Sequence, residues 1–125
     1  MSAFIYLNSE DSKTIFPENN SFDFTVDLSK ILTGRFLIAL ADFNCENLTE
    51  PLFVFCDIVN TSFMFDQYLP VLRRVYKNGE VQNLQYHRAS RNSIQRVRVY
   101  IRDQQLNTPT TSIGRVTCLL KLISF

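Results

Sequence analysis

The commonest catalytic chemistries need residues that this chain has little of. It holds one histidine, His87, so a serine or cysteine nucleophile has almost no base to draw on. His87 lies between Tyr86 and Arg88 in a strand-like run, a setting that fits a surface or interface side chain better than a catalytic one. One histidine and no Cys-x-x-Cys pair leave no zinc-binding set. The glycines Gly34, Gly79 and Gly114 stand far apart, so no glycine-rich loop is available to cradle a phosphate. Asp57 and Asp66 are the nearest thing to a carboxylate pair, and nothing in their spacing singles them out for acid–base work. No apolar run approaches the roughly 20 residues that cross a bilayer. The segment from Met1 to Tyr6 lacks the basic region and apolar core of a secretory leader. The expectation is a protein with no enzymatic activity, no cofactor, no metal and no membrane contact, kept in a reducing compartment and not secreted.

The cysteines agree with that compartment. Cys45, Cys56 and Cys118 are odd in number, widely spaced and set in apolar segments, which predicts buried, unbridged thiols. Asn-x-Ser/Thr triplets begin at Asn19, Asn47 and Asn60, and without a leader they read as chance matches in loops.

What the chain has in quantity is apolar and aromatic side chains. Of 125 residues 46% are hydrophobic, with 11 Phe and 5 Tyr. That is enough for one domain with its own core, spanning residues 1–125, and it favours pleated faces over disorder. The net charge of +1 hides a polarity. Residues 1–70 carry three basic and ten acidic side chains, a balance of −7, whereas residues 71–125 carry ten basic and two acidic, a balance of +8. Such asymmetry suits either nucleic-acid contact or complementary faces between subunits, and we place self-association first.

Short apolar runs separated by turn signals fill the sequence, with no sustained helical period. Phe22, Phe24, Val26 and Leu28 alternate with polar residues, which predicts a half-buried strand. Arg35–Cys45 and Leu52–Val59 are apolar on both faces, which predicts central strands or an interface. Asn78-Gly79 between the runs Leu69–Tyr76 and Val81–Arg88 predicts a hairpin. In Ile94–Asp103, Val97, Val99 and Ile101 share one face, and Arg96, Arg98, Tyr100 and Arg102 share the other. Val116, Cys118, Leu120 and Leu122 alternate with Thr117, Leu119, Lys121 and Ile123 in the last strand. The fold expectation is an all-β, antiparallel sandwich of about eight strands, a jelly roll first and an immunoglobulin-like sandwich second.

Three sets of residues are candidates for function. Phe63, Met64, Phe65 and Tyr68 put aromatics where polar turn residues belong, either as a lid on the protein's own core or as an anchor in a neighbour. Leu119 and Ile123 extend that interface set on the second face of the last strand. The row Arg96, Arg98, Tyr100 and Arg102 combines charge with an aromatic, as single-strand binders do, although a solvated outer sheet face or a salt-bridged subunit contact explains it better. Asp57 interrupts an apolar strand, so it is expected to be a buried carboxylate paired with Arg73 or Arg74.

Several segments in order resemble a protein family of Maverick/Polinton-type elements and their adenovirus-like viral relatives. They are Phe16-Pro17-Glu18-Asn19-Asn20 with Phe22-x-Phe24-x-Val26-x-Leu28, Phe36 to Ala41, Val54 to Val59, Leu69 to Val75, and Ile94 to Asp103 followed by Gly114 to Leu120. The resemblance covers most of the chain. Between Cys45 and Leu52 there is only a tight link where the relatives carry a long insertion. It implies a virion protein of the DNA-virus lineage that builds capsids from jelly rolls, made in the host cytoplasm or nucleus, with vertex (penton-type), fibre-like and cement roles all open. Its expected partners are itself, as a trimer or pentamer, and other capsid proteins. A fibre-head-like module for a receptor or carbohydrate is the second expectation, and a nucleic-acid-binding β module the third.

Overall fold

The computed structural model describes residues 2–125. Among them there is no helix, and eleven strands follow one another. They are β1 (Ser2–Asn8), β2 (Asp23–Thr33), β3 (Phe36–Cys45), β4 (Leu52–Cys56), β5 (Ser62–Met64), β6 (Gln67–Leu69), β7 (Val71–Val75), β8 (Gly79–Glu80), β9 (His87–Arg88), β10 (Ser93–Arg102) and β11 (Val116–Ser124). All pairings are antiparallel. The first sheet runs β1-β11-β3-β8, with β9 also on β3, and the second runs β2-β10-β4-β7. β5 and β6 form a separate hairpin.

Alternation decides which faces meet. Ile5, Leu7, Ile38, Leu40, Cys118, Leu120 and Leu122 line the inner face of the first sheet, and Phe24, Val26, Val54, Val97, Val99 and Ile101 line that of the second. These side chains are almost wholly removed from water, which stabilises the sandwich by about 1.5–3 kcal/mol for each large one. The predicted faces of the β2 and β10 runs are therefore the observed ones. All three cysteines are free thiols turned into this core.

Two expectations about the middle of the chain fail. Asn78-Gly79 does not close a hairpin: β7 lies in the second sheet and β8 in the first, so the chain crosses the sandwich there. The Asn78 side chain holds that crossing, with Oδ1 accepting from the Cys45 N–H at 3.0 Å and Nδ2 donating to the Cys45 carbonyl at 2.8 Å. Nor is Val81–Arg88 one strand, because only His87 and Arg88 pair with β3, opposite Ile38 and Leu37. Gly114, at φ +72°, makes the turn into β11, and a Cβ there would lie 2.7 Å from Cβ of Glu46.

Candidate functional site

With the inner faces packed against each other, the sheet surfaces open to a partner are the outer ones. On the second sheet β10 turns Arg96, Arg98, Tyr100 and Arg102 outward, as the alternation predicted, and β2 sets acids opposite them. Arg96 Nε donates to Asp27 Oδ1 at 2.8 Å. Arg98 grips Asp23 with two bonds, Nε to Oδ1 at 2.9 Å and Nη2 to Oδ2 at 2.7 Å. Arg102 donates to the carbonyls of Phe22 and Ile101 at 3.2 and 2.8 Å. Arg98 and Arg102 also stand 4.8 and 5.0 Å from the centre of the Tyr100 ring. Hydrogen bonding to Asp23 and Asp27 raises the pKa of Arg98 and Arg96 further, and burial raises that of Tyr100. This basic row is thus engaged by its own chain rather than presented bare to a phosphate backbone.

Next to it lies an aromatic cluster. Phe55 points away from the core yet is buried, because it stacks on Tyr100 with centroids 4.9 Å apart and planes 12° from parallel. Phe53 stands 6.2 Å from Phe55 and meets the edge of Phe65 at 6.0 Å. Phe65 belongs to the β5–β6 hairpin, so this segment leans on its own outer sheet face instead of lidding the core. Even so, most of the hairpin's aromatic surface faces solvent: Phe63 is 63% exposed, Phe65 56% and Tyr68 70%, with Met64 half-buried. Phe63 and Tyr68 pair across the hairpin, ring edge to face at 5.2 Å. Phe65 and Asp66 form the two-residue turn at φ 49° and 60°, a left-handed geometry that glycine and asparagine adopt with least strain.

The outer face of the first sheet is the second apolar surface. Leu119 and Ile123 are half-buried there, beside Tyr6 and Ser2 of β1 and Asp42 and Leu37 of β3. Phe4 and Tyr6, each more than half exposed, complete it. The sequence analysis did not single out these two aromatics, although their alternation with Ala3, Ile5 and Leu7 was the available signal.

The expected buried pair of Asp57 with Arg73 or Arg74 is not formed. Asp57 Oδ2 lies 3.7 Å from Arg91 Nη2, with both side chains more than a third exposed. Its other oxygen accepts the Arg98 main-chain N–H at 2.9 Å. Arg73 donates instead to the carbonyls of Asn83 and Gln82, and Arg74 to Gln104 Oε1. The register gives the reason: Arg74 pairs with Phe53 and Arg73 with Val54, four and three residues before Asp57, while Asp57 itself turns to β10.

Among the described residues no group of three or more His, Cys, Asp or Glu side chains is placed to hold a metal ion, and no helix is long and apolar enough to cross a membrane. No protein-family model matches the chain, and neither does any curated protein.

Proposed function

We propose that this chain is a structural subunit of a virus capsid, a jelly roll that works by association with copies of itself and with other capsid proteins. Supporting the jelly-roll reading is the way the chain rolls up: the first strand pairs with the last, and β2 pairs with β10, in the opposite sheet. With β8 and β9 taken as one interrupted strand and β5–β6 as an insertion, each sheet has four positions. The sequence resemblance supplies the viral context, in which a vertex or cement role precedes a fibre-head role.

One observation carries the associative mechanism. The β5–β6 hairpin holds Phe63, Phe65 and Tyr68 in water at a strained turn, and exposed aromatic anchors of this kind dominate the energetics of many interfaces. A projecting anchor that enters a different surface of the next copy is a heterologous contact, and such contacts build rings, trimers and pentamers among them, when the rotation between copies closes. Sedimentation velocity at tens of micromolar tests the reading. The expected result is a ring that Phe63→Ser with Tyr68→Ser dissociates. A wild-type ring whose mass those substitutions leave unchanged overturns the hairpin's role. A strictly monomeric wild type, equally monomeric when mixed with the capsid proteins of its virus, overturns the whole reading.

A further inference from the structure

β1 ends the first sheet, and among the described residues only β11 pairs with it. Open edges invite pairing with other chains, so proteins blunt them with charges, proline or a covering segment. The other edges here have such devices. On β2, Asn19 Oδ1 accepts the Thr25 N–H at 3.0 Å, Asn19 Nδ2 donates to the Thr25 carbonyl at 2.8 Å, and Ser12 Oγ accepts the Asp27 N–H at 3.2 Å. β7 carries Arg73 and Arg74. β1 reads Ser-Ala-Phe-Ile-Tyr-Leu-Asn, with neither charge nor proline, and it exposes Phe4 and Tyr6.

The direction of its main-chain groups follows from one bond. The Ser9 N–H donates to the Val116 carbonyl at 2.9 Å, so by antiparallel alternation Leu7, Ile5 and Ala3 exchange bonds with β11. The N–H and carbonyl groups of Ser2, Phe4 and Tyr6 then face the open side. Further along, the Asn8 carbonyl is taken by the Asp11 N–H at 2.9 Å, which ends the free edge.

We infer that this edge is the docking site for β1 of a second copy, antiparallel, across a two-fold axis at Ile5. The second copy is the occupant because the strand is complementary to itself in this register. Phe4 falls opposite Tyr6 of the partner copy, and Tyr6 opposite Phe4, so both are hydrogen-bonded pairs and the N–H and carbonyl groups of both residues are satisfied on each strand. The same pairing sets the two aromatic pairs side by side on the outer face, where such cross-strand pairs add stability. Ile5 meets Ile5 and Ala3 meets Leu7 on the inner face, and polar Ser2 meets Asn8 at each end. This two-fold contact does not depend on the capsid reading or on the hairpin.

Register-specific crosslinking tests it. Phe4→Cys and Tyr6→Cys chains are mixed and mildly oxidised; residues in a hydrogen-bonded pair lie about 5.5 Å apart at Cα, within disulfide reach. The expected product is a covalent dimer from the mixture that neither variant gives alone. No covalent dimer, or the same yield from either variant alone, overturns the inference. Tyr6→Pro supplies a second reading, since it removes an N–H that points to the free edge and spares the β11 ladder. In a variant whose circular dichroism matches the wild type, the two-fold dissociation constant rises on the order of tenfold or more. An unchanged constant in that folded variant overturns the inference. Because Phe63→Ser with Tyr68→Ser leaves β1 intact, the crosslink survives in that background even if the ring does not form, and the two failures stay distinguishable.

Discussion

Asp57 and Arg98 are joined twice: the Asp57 N–H donates to the Arg98 carbonyl at 3.1 Å, and the Arg98 N–H donates to Asp57 Oδ1 at 2.9 Å. The carboxylate stands in for the carbonyl that β4 no longer offers once it leaves the ladder after Cys56 opposite Val99. Asp57 is thus a strand terminator. Asp57→Asn keeps an acceptor for Arg98 and loses only an exposed ion pair with Arg91, so denaturant unfolding is expected to shift by under about 1 kcal/mol. Asp57→Ala strands the Arg98 N–H and costs about 1–2 kcal/mol. Combining Asp57→Ala with Arg73→Ala or Arg74→Ala gives additive losses, to within about 0.5 kcal/mol. Coupling well above that would restore the direct pairing that the sequence suggested.

The acids on β2 determine how the basic row of β10 behaves toward nucleic acid. With Asp23 gripping Arg98 and Asp27 gripping Arg96, single-stranded DNA is expected to bind weakly at physiological salt. Asp23→Asn with Asp27→Asn frees both guanidinium groups, so affinity rises and its dependence on salt steepens. Fluorescence anisotropy at several salt concentrations measures both. A wild type that already binds tightly, with an affinity the double variant leaves unchanged, would show that the ion pairs do not mask the row.

Burial raises the pKa of all three thiols, that of Cys56 to about 12. A raised folded-state pKa means that the unfolded chain loses its thiol protons first. The contribution to stability is whole below the unfolded value near ~9, and for Cys56 it is lost as pH rises from there toward about 12. Each thiol steepens the fall by up to about 1.4 kcal/mol per pH unit. Unfolding curves from pH 7 to 11 read that slope, and Cys56→Ala with Cys118→Ala flattens it. Thiol reagents are expected to label Cys56 and Cys118 only as fast as the domain opens; rapid labelling of the native protein would contradict their burial.

How far the sequence could be read depended on whether a feature was local. Phe24 and Val26, like Val97, Val99 and Ile101, announce their faces through period-two alternation, and their burial follows. The crossing at Asn78 leaves no such trace. Asn78-Gly79 has the chemistry of a hairpin, and what decides against one is a bond to Cys45, 33 residues earlier. The register of β7 on β4 is likewise unmarked: it sets Arg74 beside Phe53 and Arg73 beside Val54, short of Asp57, which bonds to β10 instead. Asp57 itself looked buried because its sequence neighbours are apolar, whereas in space it sits where a strand ends. Of the candidate surfaces, the basic row was visible as a pattern, but its acidic partners on β2 lie about 70 residues away and came into view only with the register.

Phe65 separates the demands of folding from those of association. It occupies the first position of a two-residue turn at φ 49°, where a bulky side chain is strained by about 1–2 kcal/mol and asparagine far less. In return its ring meets the edge of Phe53 at 6.0 Å, a contact worth about 0.5–1.5 kcal/mol. These two contributions nearly cancel, so Phe65→Asn is expected to leave the unfolding free energy of the isolated domain within about 1 kcal/mol of the wild type. Association is another matter, because a ring 56% exposed in the single chain becomes an anchor only when a neighbour covers it. Phe65→Asn therefore weakens self-association by tenfold or more while the thermal midpoint of the dissociated chain barely moves. Asp66→Gly is the control: it relaxes the same turn, keeps the ring and raises stability by about 0.5–1 kcal/mol with association retained. Sedimentation equilibrium and thermal unfolding on the two variants separate these outcomes. If Phe65→Asn associates as tightly as the wild type, the strained phenylalanine serves only Phe53 and the hairpin is not the anchor.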